Sequence, residues 1–132
     1  QEEMLKHRII HELGHFVLGL GYLYHDSSVE ELMQHTMGIR KQSGYRRGLT
    51  GIGSDSFYDT RPNPEYTKPN EDATDLLAEY VRNPKILENH LSYLSNPQAS
   101  DEHDRLNLTT ITPATAADIY DAVEGVVKRH IT

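Results

Sequence analysis

The sequence has no cysteine, which removes disulfides, thiolate metal sites and a cysteine nucleophile together and leaves the compartment open. It has no run approaching the ~20 apolar residues of a membrane-spanning helix, so no membrane span is expected. Basic charge is short too. Thirteen Lys and Arg against 20 Asp and Glu leave a net charge of −7, a poor match to a phosphate backbone, which needs a basic face. No nucleic-acid partner is expected. Apolar residues make up 36% of the chain, below the globular norm, and imply a modest core. The opening Gln1-Glu2-Glu3 is acidic where a secretory signal would be basic. With Gln first and an apolar helical pattern running by Leu5, the chain reads as a fragment or C-terminal part of a longer one, whose other domains are expected partners. Histidine is what stands in excess: 8 in 132 residues, and it is the commonest metal ligand.

The length suits one domain, 1–132. From Glu2 to about Leu20, apolar residues fall at Leu5, Ile9, Leu13, Phe16, Val17 and Leu20. That spacing predicts a helix with this face inward, ended by Gly19 and Gly21. Ser28 with Glu31 reads as a capping box opening a second helix, with Val29, Leu32, Met33 and Thr36 inward and Gly38 as its stop. Gly38 to Pro69 keeps no period and reads as a long loop, functional or partly disordered. Helix returns after Pro69 with Asn70 as N-cap and Leu76, Leu77, Tyr80 and Val81 on one face. Asn83-Pro84 restarts a helix through Leu94. Leu106 to Ile111 reads as a short strand. Thr112-Pro113 opens a closing helix with Ile119, Tyr120, Val123, Val126 and Val127 inward and Lys128 and Arg129 at its C-terminal end.

The chemistry concentrates in His11-Glu12-Leu13-Gly14-His15. Two His at i and i+4 share a helix face, so both imidazoles can reach one metal. Glu12 projects toward the same ion, where it can take a proton from water. The flanking Ile9-Ile10 and Phe16-Val17-Leu18 predict a buried helix, in which paired imidazoles are costly unless liganded. A catalytic zinc needs a third protein ligand. Glu71 and Asp75, in Asn70-Glu71-Asp72-Ala73-Thr74-Asp75, stand one turn apart on a helix.

His-Glu-x-x-His followed by Asn-Glu-x-x-Thr-Asp resembles the gluzincin branch of the zincin metallopeptidases. The resemblance spans Ile9 to Val81 and implies a mainly α, zincin-like metallopeptidase domain, with an active-site helix, a third-ligand helix and an upper sheet that is missing or minimal. It implies zinc on His11, His15 and Glu71, Glu12 as general base, and Asp75 behind the ligands orienting an imidazole. The activity implied is hydrolysis of peptide bonds through a metal-activated water, with a protein or peptide as substrate. The oxyanion falls to a Tyr near the third-ligand segment. Tyr66 is nearest, before Tyr58 and Tyr45.

The same stretch is similar to the lethal-factor-like toxin peptidases. There Asp75-Leu76-Leu77-Ala78-Glu79 makes Asp75 the ligand and Glu79 its support, and the family implies a secreted toxin or delivered effector. A metzincin-like frame offers His25 as third ligand, but it follows His15 by 10 residues where that family has about six. Two other classes stay open: an inactive zincin-like helical binding module with a structural metal, and a zinc hydrolase of non-peptide amides. His35, His90, His103 and His130 lack partners at ligand spacing and read as structural or surface residues, and His7 as a ligand would crowd one helix. Arg40-Lys41 and Arg46-Arg47 read as a solvated turn, or as a hold for an acidic substrate.

Overall fold

A computed structural model describes residues 2–51 and 64–131, the side chains of 64–67 excepted. The described residues form six α-helices and one short 3-10 turn: α1 (Glu2–Leu23), α2 (Ser27–Gln42), α3 (Pro64–Arg82), α4 (Pro84–Leu94), the 3-10 turn Pro97–Ala99, α5 (Ser100–Arg105) and α6 (Pro113–His130). Among the described residues there is no strand. Leu106–Ile111, expected as one, contributes a single parallel bridge between Leu108 and Gly48. No helix among the described residues is long and apolar enough to cross a membrane.

α3 is the hub, packed by α1, α2, α4 and α6. Its Ala73, Leu76, Leu77 and Ala78 are buried with Leu18 of α1, Val29, Leu32 and Met33 of α2, Leu87, Leu91 and Leu94 of α4, and Ile119, Val123 and Val126 of α6. Each fully buried Leu or Ile contributes roughly 2 kcal/mol against the entropy of ordering the chain. The expected caps of the later helices are present. Asn83 Oδ1 accepts from Lys85 N with Pro84 in the first turn, and Thr112 Oγ1 accepts from Thr115 N before Pro113.

Several boundaries move. Gly19 and Gly21 do not end α1, which runs on to Leu23. Gly21 is buried where α1 crosses α2, and a Cβ there would overlap Val29. It is a packing glycine. The turn out of α1 falls instead to His25, at φ 57°. Asp26, not Ser28, caps α2, with Oδ1 accepting from Ser28 N and Val29 N. Gly38 meets open space and leaves α2 intact through Gln42, because burial of Ile39 and Arg40 outweighs the roughly 1 kcal/mol cost of one helical glycine. α3 starts at Pro64, with Pro69 inside its first two turns, so the expected loop is shorter at both ends. Residues 52–63 of that loop lie outside the described residues.

Arg40 corrects the reading of a solvated turn. It is fully buried and holds Asp72 of α3 through two parallel bonds, Nε to Oδ2 at 2.7 Å and the terminal nitrogen to Oδ1 at 2.8 Å. Thr50 Oγ1 and Leu49 N donate to the same carboxylate at 2.7 and 3.3 Å. Gly48 lies so close that a Cβ would overlap both charged groups. This pair fastens α2, α3 and the 48–50 segment beside the candidate site.

Candidate metal centre

α1 and α3 run antiparallel, since Glu3 meets Arg82, His7 meets Asp75, and His15 meets Glu71 and Asn70. Gly14 permits the close approach. A Cβ at that position would stand 3.0 Å from Thr74 Cγ2. Histidines step along α1 by four residues at 7, 11 and 15, and carboxylates step along α3 by four at 71 and 75. The two ladders share the helical pitch and interleave as His15, Glu71, His11, Asp75, His7.

His15 Nε2 lies 2.6 Å from Glu71 Oε1, and His11 Nε2 lies 3.4 Å from Glu71 Oε2. The two rings meet edge to face, with centroids 4.8 Å apart. Each ring turns its other nitrogen to an oxygen. His15 Nδ1 donates to Asn70 Oδ1 at 2.8 Å, and His11 Nδ1 faces Asp75 Oδ1 at 3.7 Å. Asn70, expected as an N-cap, sits inside α3, and its side chain serves His15. Thr74 Oγ1 donates to the Asn70 carbonyl at 2.7 Å and braces that turn. With each Nδ1 turned to an oxygen of α3, the Nε2 atoms of both rings are left toward one carboxylate, that of Glu71.

Burial disfavours the charged form of His11, but the Asp75 and Glu71 carboxylates outweigh it and raise its pKa to about 9. Burial alone would raise Glu71, yet hydrogen bonds from His11 and His15 bring it down to about 2. Asp75 is likewise lowered, burial being outweighed by His11 and His7. A proton therefore holds the metal-free cluster together, in the place a cation would take. The donor set fits zinc: a tetrahedral ion with bonds of ~2.0–2.1 Å spaces its donor atoms about 3.3 Å apart, and the ligand atoms of His11, His15 and Glu71 all lie within 4.8 Å of one another.

Glu12 is exposed and makes no hydrogen bond or ion pair among the described residues. It stands about 100° around α1 from His11 and about 60° from His15, on the solvent side of the centre. Beyond it comes the apolar face expected to be buried, and here the structure overturns the expectation. Leu5, Ile9, Leu13, Phe16 and Leu20 are exposed, Phe16 at 68%. The packed side is that of the histidines, with Gly14, Leu18 and Gly21 against α3 and α2.

The remaining candidates separate. Glu79 pairs with His90 of α4, both carboxylate oxygens lying within 2.8 Å of Nδ1, while His90 Nε2 donates to Leu49 O at 2.8 Å. It does not meet His11 or His15. His25 pairs with Glu30 at 3.2 Å, beyond the C-terminal end of α1, and joins neither group of potential metal ligands among the described residues. Tyr66 belongs to the first turn of α3, but its side chain lies outside the described residues, as does Tyr58 altogether. Tyr45 is described; at φ 67° its carbonyl accepts from Lys68 Nζ at 3.1 Å. Sequence reasoning missed His7 and Arg82. The sequence carries a signal for His7 in the fourth-residue ladder His7, His11, His15; nothing local marks Arg82.

No protein-family model, curated protein or solved structure matches the chain.

Proposed function

We propose that this chain is a zinc-dependent metallopeptidase domain of the gluzincin-like kind, with His11, His15 and Glu71 as ligands and Glu12 as general base. One observation carries the reading: two imidazoles on one helix present Nε2 to the same carboxylate, while each Nδ1 is met by an oxygen of α3. Metal-bound histidines are ordinarily oriented in this way, through the nitrogen that faces away from the ion.

Zinc held there supplies Lewis acidity to the attacking water and the scissile carbonyl. The chain's own residues supply the rest. Glu12, exposed on the same helix, takes the proton of the attacking water and passes it to the leaving amine nitrogen. Asn70 and Asp75 hold the ligand rings. Tyr66 takes the oxyanion role that the resemblance gives it.

The test is hydrolysis of a peptide library by zinc-loaded protein and by its Glu12→Gln variant. Cleavage is expected to fall by a factor of about 10² to 10⁴ with zinc content unchanged, as befits loss of a general base. Equal cleavage by the two forms contradicts the role of Glu12, and a zinc-loaded chain that cleaves no peptide contradicts the peptidase. A structural metal joining two helices has no use for Glu12, so this variant also separates the enzyme from an inactive binding module.

A further inference from the structure

We infer that His7, held by Arg82, is a positioning residue of the metal centre, acting through Asp75 on His11. The inference rests on the proposed ligand set and extends it by one shell of residues.

His7, His11 and Asp75 also lie close enough together to hold a cation, so a second metal site is the competing arrangement. The hydrogen bonds decide against it. Arg82 donates from a terminal nitrogen to His7 Nδ1 at 3.1 Å. A guanidinium can only donate, so that Nδ1 accepts and the ring proton sits on Nε2. His7 Nε2 in turn donates to Asp75 Oδ1. Both nitrogens are committed, and no lone pair remains for a metal. The permanent charge of Arg82 beside the ring further disfavours a second cation there.

The chain of bonds has a direction. Glu3 accepts from the other terminal nitrogen of Arg82 at 3.2 Å, Arg82 fixes the tautomer of His7, and His7 fixes Asp75. The same Asp75 Oδ1 lies 3.7 Å from His11 Nδ1. Asp75 therefore accepts and cannot donate, which keeps a proton on His11 Nδ1 and leaves Nε2, toward Glu71, as the nitrogen that would take a metal. Without His7, nothing among the described contacts holds Asp75 except His11 itself.

The experiment is zinc titration against a chelator of known affinity for wild type, His7→Leu and His7→Gln. The Gln amide nitrogen reaches the position of Nε2 and can donate to Asp75; Leu cannot. Wild type is expected to bind one zinc, His7→Leu to bind it about 10- to 100-fold more weakly, and His7→Gln to recover most of that loss. Equal affinity in all three overturns the inference and leaves the ligand set standing. A second zinc lost in His7→Leu also overturns it, because His7 would then be a ligand. No zinc in wild type overturns both. Should His7→Leu not fold, ¹⁵N NMR of the zinc-loaded wild type decides. A protonated Nε2 and a free Nδ1 on His7, with Nδ1 protonated on His11, are expected; the reverse tautomer of either ring, or a metal-shifted His7 nitrogen, contradicts the inference.

Discussion

Asn70 holds His15 by the nitrogen that faces away from Glu71, Oδ1 accepting from Nδ1 at 2.8 Å, so one turn of α3 supplies an oxygen to each nitrogen of the ring, Glu71 at Nε2 and Asn70 at Nδ1. Asn70→Leu removes the acceptor at similar volume. Zinc affinity is expected to fall about 10- to 100-fold, and Asn70→Asp, which keeps an acceptor, to stay closer to wild type. Chelator competition measures both.

The acidic face of α3 divides its labour. Glu71→Ala removes a ligand and is expected to abolish stoichiometric zinc binding. Asp75→Ala is expected to weaken it about 10- to 100-fold. Glu79→Ala is expected to leave zinc affinity unchanged but to destabilise the fold by about 1–3 kcal/mol, because the half-buried His90 loses the partner of its Nδ1. If Glu79→Ala lost zinc while Glu71→Ala kept it, the lethal-factor-like frame would replace this one.

The two motif helices were legible because an i, i+4 step is local: His11 with His15, and Glu71 with Asp75, share faces by helix geometry alone. Which side of α1 packs was not. Its apolar stripe and its histidine ladder both have helical period, and hydrophobicity pointed to the stripe, whereas the ion pairs to α3 and the close contacts at Gly14 and Gly21 turn the histidine side inward. Pairwise recognition across chain distance was equally invisible. Arg40 and Asp72 each look solvated in isolation and are buried only because they find one another. Asn70 has the composition of an N-cap, but the helix it was to open already begins at Pro64.

Zinc uptake should depend on pH in a defined direction. His11 has its pKa raised to about 9 in the metal-free fold, and zinc needs the neutral ring. Near neutral pH about one proton is therefore expected to leave per zinc bound, and affinity to rise about tenfold per pH unit until about pH 9. Calorimetry in two buffers of different ionisation enthalpy counts the proton. The stability that His11 contributes without metal is fully present below its unfolded pKa of about 6.5 and lost as pH rises through about 9. The metal-free Tm is therefore expected to fall across that window, with less change in the zinc-loaded protein.

The Arg40–Asp72 pair offers a stability test independent of zinc. Gly48→Ala places a methyl group against both charges and is expected to cost about 3 kcal/mol or more in urea unfolding, in the range of a broken buried pair. Arg40→Met is expected to cost as much, by leaving the Asp72 carboxylate buried without its cation. Replacing both as Arg40→Met with Asp72→Leu is expected to recover part of the loss.

The central claim is one zinc on His11, His15 and Glu71, and a crystal of zinc-loaded protein measured on both sides of the zinc absorption edge tests it most directly. One anomalous peak is expected, at ~2.0–2.1 Å from Nε2 of both His11 and His15 and ~2.0–2.2 Å from a Glu71 oxygen. No peak between α1 and α3 with zinc supplied, or a peak held by His7 or His25 in place of His15, contradicts it.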